Sequence, residues 1–392
     1  MSQDEIEIAH QDLWKWCRAQ SFAGYDPYDA LNSRLFQATP LRHSRAARLA
    51  WTQLHKRSPI NLRSLVRIPR ERNSKGIALF ALAALAHYRR TKTKEAEIEA
   101  RDLLDDLMWM RLKGFSGAAW GYNFDWQSRA FFAPRGTPTV VPTAFAARAL
   151  GEAAEVFGPD EYLSFARKIC DFILNDLKRV DEASDEVCFS YSPLDQTRVF
   201  NASLLAGEAL ATIGKLTGEA SLCEWAMRAA RYVVRRQRAD GSWTYGADDH
   251  QSWADNFHTA FILTSLSRII GACEDVTDEL EPSLIRGYEF WRERFFLDNG
   301  WPKYYPDRLY PADAHSAASA VVALVELRGH IPSTMILADK VAQWAIENLC
   351  DQRGFFYHQR RRFHTVRIPY MRWSEAWVAY ALARLIEGKS KK

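Results

Sequence analysis

The chain has 392 residues, a formal net charge of +4, 47% hydrophobic and 26% charged residues, which is ample for one large core or two ordinary ones and too weakly basic for a nucleic-acid partner. Its opening, MSQDEIEIAHQDLWKWC, places acids where an export signal needs a basic start and then an apolar run, and no uncharged apolar stretch reaches the roughly 18 residues of a transmembrane helix. The six cysteines (17, 170, 188, 223, 273, 350) include no CxxC pair, so the sequence reads as a reduced, cytoplasmic protein with neither a disulfide framework nor a zinc site, and no cofactor or metal is expected.

In chain order, residues 1–40 read as an N-terminal helical and loop extension, followed by an amphipathic helix at 42–57. Six apolar helices rich in small residues come next. They end at Leu85, Leu150, Leu210, Leu266, Leu324 and Leu382, at intervals of 65, 60, 56, 58 and 58 residues. Between them lie charged, amphipathic helices at 95–112, 160–180, 219–238, 281–296 and 333–350, each with one solvent face. With 42–57 as the sixth charged helix, the count is six and six. Apolar helices must be enclosed by the others, so the pattern predicts an all-α fold, an (α/α)6 toroid of six inner and six outer helices in a single domain spanning 1–392.

Each charged helix is followed by a turn and an aromatic piece: WGY (120–122), FSY (189–191), DGSWTY (240–245), NGWPKYY (299–305) and RGFFY (353–357). Short β-hairpins or turns are expected there, at the rim where the inner helices begin. The polar heads of those helices should gather at the same end. Asp255 and Asp313 each stand 11 residues before their closing leucine, and His258 and His315 stand 8 and 9 before it. The sixth repeat places Arg372, Ser374 and Glu375 in the same neighbourhood, the third Asn201, the first Lys75.

Carboxylates and imidazoles converging on one mouth suit acid and base chemistry on a polar ligand, with Asp255, His258, Asp313, His315 and Glu375 as the candidate catalytic groups. Asp125, Trp126, Arg129, Asn201, Trp243, Tyr245, Tyr304, Tyr370, Arg372 and Trp373 are the candidate substrate contacts. The structural alternatives are plain: both aspartates can be N-caps, both histidines core residues, and Glu375 can pair with Arg372.

The strings GYDPYDALNS (24–33), WGYNFDWQSR (120–129), TPTVV (137–141), DNFHTAF (255–261), DAHSAA (313–318) and IPYMRWSEAW (368–377) resemble those of bacterial six-hairpin proteins of exopolysaccharide and capsule biosynthesis clusters. The resemblance runs from about residue 20 to 385. It implies the toroid of the six-hairpin glycosidases and a role in polysaccharide biosynthesis, with a carbohydrate as ligand and association with the biosynthetic machinery as a partner reading. Arginines at 360–362, 367 and 372, with Arg129 and Lys75, add the expectation of an anionic group, a uronate or a nucleotide sugar, with Arg372 and Arg129 as its contacts because aromatic residues flank both, and 360–362 reading as a solvated basic loop.

Three readings stay open at this point. One is a sugar-processing enzyme (hydrolase, lyase or epimerase), and another is a non-catalytic glycan-binding or scaffold protein. A terpene-cyclase-like toroid is the third, against which the chain carries no DxDD string.

Overall fold

The computed structural model describes residues 3–127, 132–273 and 276–390. Helix α1 (Gln3–Ala19) is followed by the short α2 (Arg34–Gln37) and by α3 (Arg45–Arg57). The repeats then run α4 (Ser74–Thr91), α5 (Lys94–Trp109), α6 (Val140–Phe157), α7 (Asp160–Asn175), α8 (Phe200–Thr217), α9 (Ala220–Val234) and α10 (Asn256–Ala272). They finish with α11 (Thr277–Phe295), α12 (Ala314–Glu326), α13 (Thr334–Leu349) and α14 (Ala376–Ser390).

Helices α4, α6, α8, α10, α12 and α14 each pack on the next, and α14 packs back on α4, so the small-residue helices form a closed inner ring. Their composition allows the close approach. A Cβ added at Gly207 in α8 would stand only 3.0 Å from the Ala229 Cβ of α9, a distance at which a larger residue forces the helices apart. Gly218 stops α8 by taking the left-handed conformation at φ 72°, which glycine adopts without strain.

Helices α5, α7, α9, α11 and α13 cover α4, α6, α8, α10 and α12 from outside. The sixth outer place belongs to α1, which packs on α14 and α13. This corrects the assignment of that place to 42–57. Helix α3 packs instead on the 3-10 turn Asp29–Asn32, which its Trp51 indole fastens by donating to the Ala30 carbonyl (2.9 Å). Periodicity shows that a helix has one wet face but not which neighbour takes its dry one.

The rim carries three small sheets. Strand β1 (Trp126–Gln127) pairs with β2 (Phe132–Ala133), and β3 (Arg179–Glu182) with β4 (Val187–Phe189). A three-stranded sheet joins β5 (Ala312–Asp313), β6 (Gln359–Arg360) and β7 (Thr365–Val366), with Asp313 opposite Gln359.

The inner helices are not apolar throughout. From their middles to their C-terminal ends they bring four arginines and four glutamates together inside the ring. Arg148 of α6 grips Glu208 of α8 at 2.6 Å, and Arg89 of α4 reaches Glu387 of α14 at 2.8 Å and Glu152 of α6 at 2.9 Å. Arg268 of α10 meets Glu326 of α12 at 3.1 Å, and Arg384 of α14 lies between Glu326 (3.4 Å) and Glu387 (3.1 Å). Opposite charges in equal number, most of them with more than one partner, are what a low-dielectric interior requires of ions held there.

Candidate active site

The site is built where the inner helices begin. At the head of α10 the chain arrives extended, and Asp255 takes the N-cap position, its Oδ1 accepting the His258 N–H at 3.0 Å. The same carboxylate has a second task. Its Oδ2 lies 2.7 Å from Nδ1 of the His258 ring and accepts the Trp253 indole N–H at 3.2 Å. A carboxylate on Nδ1 fixes the proton there and leaves Nε2 as the lone-pair nitrogen of the neutral ring. The His258 side chain keeps 21% of its surface exposed while Asp255 keeps 2%. The pair is therefore a buried acid holding an imidazole that reaches the mouth.

Asp313 repeats the cap at the head of α12, accepting the Ser316 N–H at 2.7 Å. Its Oδ2 meets no hydrogen-bond partner among the described residues, although the Trp373 indole N–H lies near enough to favour the charged form. Burial dominates and pushes its pKa up to about 6.

His315 is 1% exposed, its two ring nitrogens without partners among the described residues. It is boxed by aromatic rings: Trp373 at 4.1 Å between centroids, Phe257 at 4.7 Å and Trp377 at 5.0 Å. Burial, then the charges of Lys75 and Arg372, hold it well below the usual imidazole range, so it is neutral. Phe257 touches both histidines, His258 at 4.0 Å.

Below His315 the axis of the ring is filled. The Lys75 Nζ lies 4.7 Å from the Phe145 ring centre and 5.1 Å from those of Phe261 and Trp377. Burial, then the Arg372 charge, lowers its pKa, while Asp26 and the three ring faces favour the ammonium. Asn201 Oδ1 and the indole N–H groups of Trp373 and Trp377 also lack partners among the described residues. Unsatisfied polar atoms are thus concentrated at the head of the ring, where a polar ligand or ordered water would satisfy them.

Around His258 stand the rings of the connections. Tyr245 stacks on Trp253 at 4.7 Å and meets His258 at 4.6 Å, and Tyr304 lies 5.7 Å from Phe257. On the far side Tyr28 packs on Trp373 at 5.4 Å and accepts a hydrogen bond from Lys56 Nζ at 2.6 Å. Tyr122 and Tyr191 bring their hydroxyls within 3.3 Å, and Trp126 packs on Tyr191 at 5.3 Å. Tyr28, Tyr122, Trp126, Tyr245 and Tyr304 are all partly exposed, so the rim presents aromatic surface to solvent.

Several expected contacts stand elsewhere. Arg372 is 3% exposed and bound by Asp26 through two hydrogen bonds (2.5 and 2.8 Å), not by Glu375. Glu375 faces the outer layer instead, where it accepts the Phe356 N–H at 2.9 Å, and burial holds its carboxyl well above the usual range. Trp243 is fully enclosed and donates to the Val233 carbonyl. Tyr370 lies over Arg63 at 4.7 Å, beneath the 24–33 segment. Asp125 accepts the Arg135 N–H at 2.8 Å and secures the turn beside the β1–β2 pair. Arg129 lies outside the described residues.

Sequence reasoning does not single out Asp26, Tyr28, Asp29, Lys56, Arg63 or Trp253, and it places Tyr122 and Tyr191 at the rim, within WGY and FSY, but not among the substrate contacts. The buried pairs Asp26–Arg372 and Asp29–Arg63 (2.7 Å) anchor the GYDPYDALNS segment across the mouth. The one signal for them was the two aspartates of that segment, spaced three apart. Among the described residues no group of three histidine, cysteine or carboxylate side chains is placed to hold a metal ion.

Fold and mouth together define the class: an (α/α)6 toroid whose inner-helix N-termini carry an aromatic-rimmed, histidine-bearing site. Solved structures share that fold. A cellobiose 2-epimerase from Bacillus thermoamylovorans B4167 superposes with a TM-score of 0.64 at 13% identity, covering 81% of this chain and 88% of that one. A D-mannose isomerase gives 0.62 at 13% identity (82% and 88%), and an unsaturated glucuronyl hydrolase specific for heparin 0.59 at 14% (81% and 86%). No family model matches the sequence, and no curated protein does.

Proposed function

We propose that the protein is a sugar-processing enzyme that moves a proton on a carbohydrate, with His258 as the general base or acid at the mouth and Asp255 holding it. The observation that carries this reading is the 2.7 Å contact between Asp255 Oδ2 and His258 Nδ1, which leaves Nε2 for a substrate proton on a side chain that keeps 21% of its surface exposed beside Tyr245, itself stacked on Trp253. Ring faces of this kind suit the flat, apolar sides of sugars, and an oriented imidazole suits proton abstraction beside a carbonyl.

A hydrolase with paired carboxylates finds less support, because Asp255 and Asp313 both accept backbone N–H groups and Glu375 faces away from the mouth. An anionic ligand finds less support too, since Asp26 already neutralises Arg372. The resemblance to bacterial exopolysaccharide-cluster proteins supports a substrate that belongs to glycan assembly.

The test incubates the protein with a panel of reducing sugars, uronate oligosaccharides and nucleotide sugars in deuterated water. Deuterium at a sugar carbon identifies proton transfer. His258→Ala should abolish the exchange, and Asp255→Asn, which caps α10 about as well as aspartate, should cut it about a hundredfold or more while the melting temperature holds. A second reading, a non-catalytic glycan receptor, is favoured by the capping use of both aspartates and by the filled axis. It predicts binding without exchange, and an Asp255→Asn protein that behaves as the parent.

A further inference from the structure

Beside the mouth lies a surface whose charge differs from that of the rest of the molecule. Residues 34–70 contain eight arginines and one lysine with no aspartate or glutamate, and the hairpin strands and tip at 359–367 add four more arginines, again with no acid. Apart from Arg63, which is buried and paired with Asp29, these are two acid-free, arginine-rich stretches in a chain whose net charge is only +4. The two segments form one surface: the Arg361 guanidinium donates to the carbonyl of Arg57, at the C-terminal end of α3, at 3.2 Å. Lys56, one residue earlier, reaches Tyr28 at the mouth.

Three arginines here behave unlike those of the outer wall. There Arg231 pairs with Glu279 at 2.7 Å and Arg235 with Asp185 at 2.5 Å. Here Arg42 donates to the Gln37 carbonyl, Arg362 lies over the Phe363 ring at 5.2 Å and Arg57 is exposed. Among the described residues none of these three meets a carboxylate within ion-pair distance.

The same two segments expose large apolar side chains. Phe363, on the turn between β6 and β7, is 87% exposed, Leu65 74%, Ile60 68% and Leu54 54%. Lone exposed apolar residues need no explanation, but several of them among unpaired cations make a surface that water serves poorly.

We infer that this face docks on an anionic lipid bilayer, with Phe363 and Ile60 entering the headgroup region and the arginines meeting lipid phosphates. Charge complementarity selects that occupant, because unpaired cations around protruding apolar side chains match the two components of an anionic membrane surface. No helix among the described residues is long and apolar enough to cross a membrane, so the attachment is peripheral. The inference goes beyond the proposed reaction and does not depend on it.

The experiment is co-sedimentation of the full chain with vesicles of phosphatidylcholine alone and of a phosphatidylcholine–phosphatidylglycerol mixture. The protein should bind the mixture, release it as salt rises, and ignore pure phosphatidylcholine. The Arg57→Gln/Arg362→Gln double variant should bind the mixture about thirtyfold more weakly and Phe363→Ser roughly tenfold more weakly. Both variants alter exposed side chains, and unchanged melting temperatures show that they fold. Equal binding to both vesicle types, no binding to either, or undiminished binding by the double variant overturns the inference. So does salt-sensitive capture by a heparin column without vesicle binding, which would assign the face to a soluble acidic polymer.

Discussion

Asp255 and Asp313 show how one residue's spacing decides chemistry. Both cap an inner helix, and the 11-residue offset from the closing leucine made their equivalence legible in the sequence. Their histidines differ by one position: His258 stands three residues after its cap and His315 two. On a helix the third residue lies above the cap and can turn back to it, whereas the second, rotated by about 100°, faces a different side. Asp255 therefore holds an imidazole, while Asp313 is left with a free oxygen and His315 points among the aromatic rings. The consequence can be measured. The pKa of Asp313, raised to about 6, exceeds the value near 4 of an unfolded aspartate, so the native state binds its proton more tightly. Stability should fall as pH rises from about 4 to 6, by up to roughly 3 kcal/mol. Asp313→Asn, which keeps the cap, should lessen that slope in urea unfolding at pH 4.5 and 6.5, leaving the share of Asp29, whose carboxyl burial also raises to about 6, and an unchanged slope would falsify the assignment.

At the scale of elements, the inner ring was the most legible part because enclosure leaves a strong mark: six runs of small apolar residues at near-constant spacing. Close packing of those runs predicts the cost of enlarging them. Ala260 in α10 is fully buried, and Ala260→Leu should lower stability by about 1 to 3 kcal/mol, read as a fall in melting temperature. The outer ring was less legible. Helices α1 and α3 are both amphipathic, and only the tertiary structure shows that Ile6, Leu13 and Cys17 of α1 are fully enclosed, whereas α3 keeps Leu54 in water. The connections were mixed. The DGSWTY segment sends Trp243 into the outer layer and Tyr245 to the mouth, although residues two apart share a face in a regular strand, so this connection is not a regular strand. The sequence presents both rings without showing which face meets the ligand.

For the molecule as a whole, the buried arginine–glutamate cluster ties the six inner helices to one another. Its members were visible as isolated charges within apolar helices, but apart from Arg384 and Glu387, three residues apart on α14, their partners lie about 60 to 300 residues away and no local pattern connects them. Burial works against the charge on Glu152, yet Arg89, Arg384 and Arg268 outweigh it and lower its pKa to about 2. The folded value lies below the unfolded one, so this contribution is complete above about pH 4.5 and is lost as pH falls toward 2, up to roughly 3 kcal/mol. Acid unfolding should therefore set in through that window. Glu152→Gln, which leaves the arginines undercompensated, should destabilise the protein at pH 7 by about 3 to 5 kcal/mol in denaturant melts. A cost below about 1 kcal/mol would show that the remaining glutamates suffice. Because the ring is closed, limited proteolysis should yield one cooperative unit and no stable half.

The outer place held by α1 also governs the order of assembly. Trp16 packs on Phe355 at 5.3 Å, a contact between residues 339 positions apart (355 − 16). Each of the other outer helices can cover an inner neighbour close to it in sequence, but α1 has no seat until α13 and α14 have been synthesised. Until then its apolar stripe faces water and the circle of inner helices stands open. The interval between the emergence of α1 and the completion of the ring is when this chain is most exposed to aggregation, and when a chaperone that shelters a helix has the most to do.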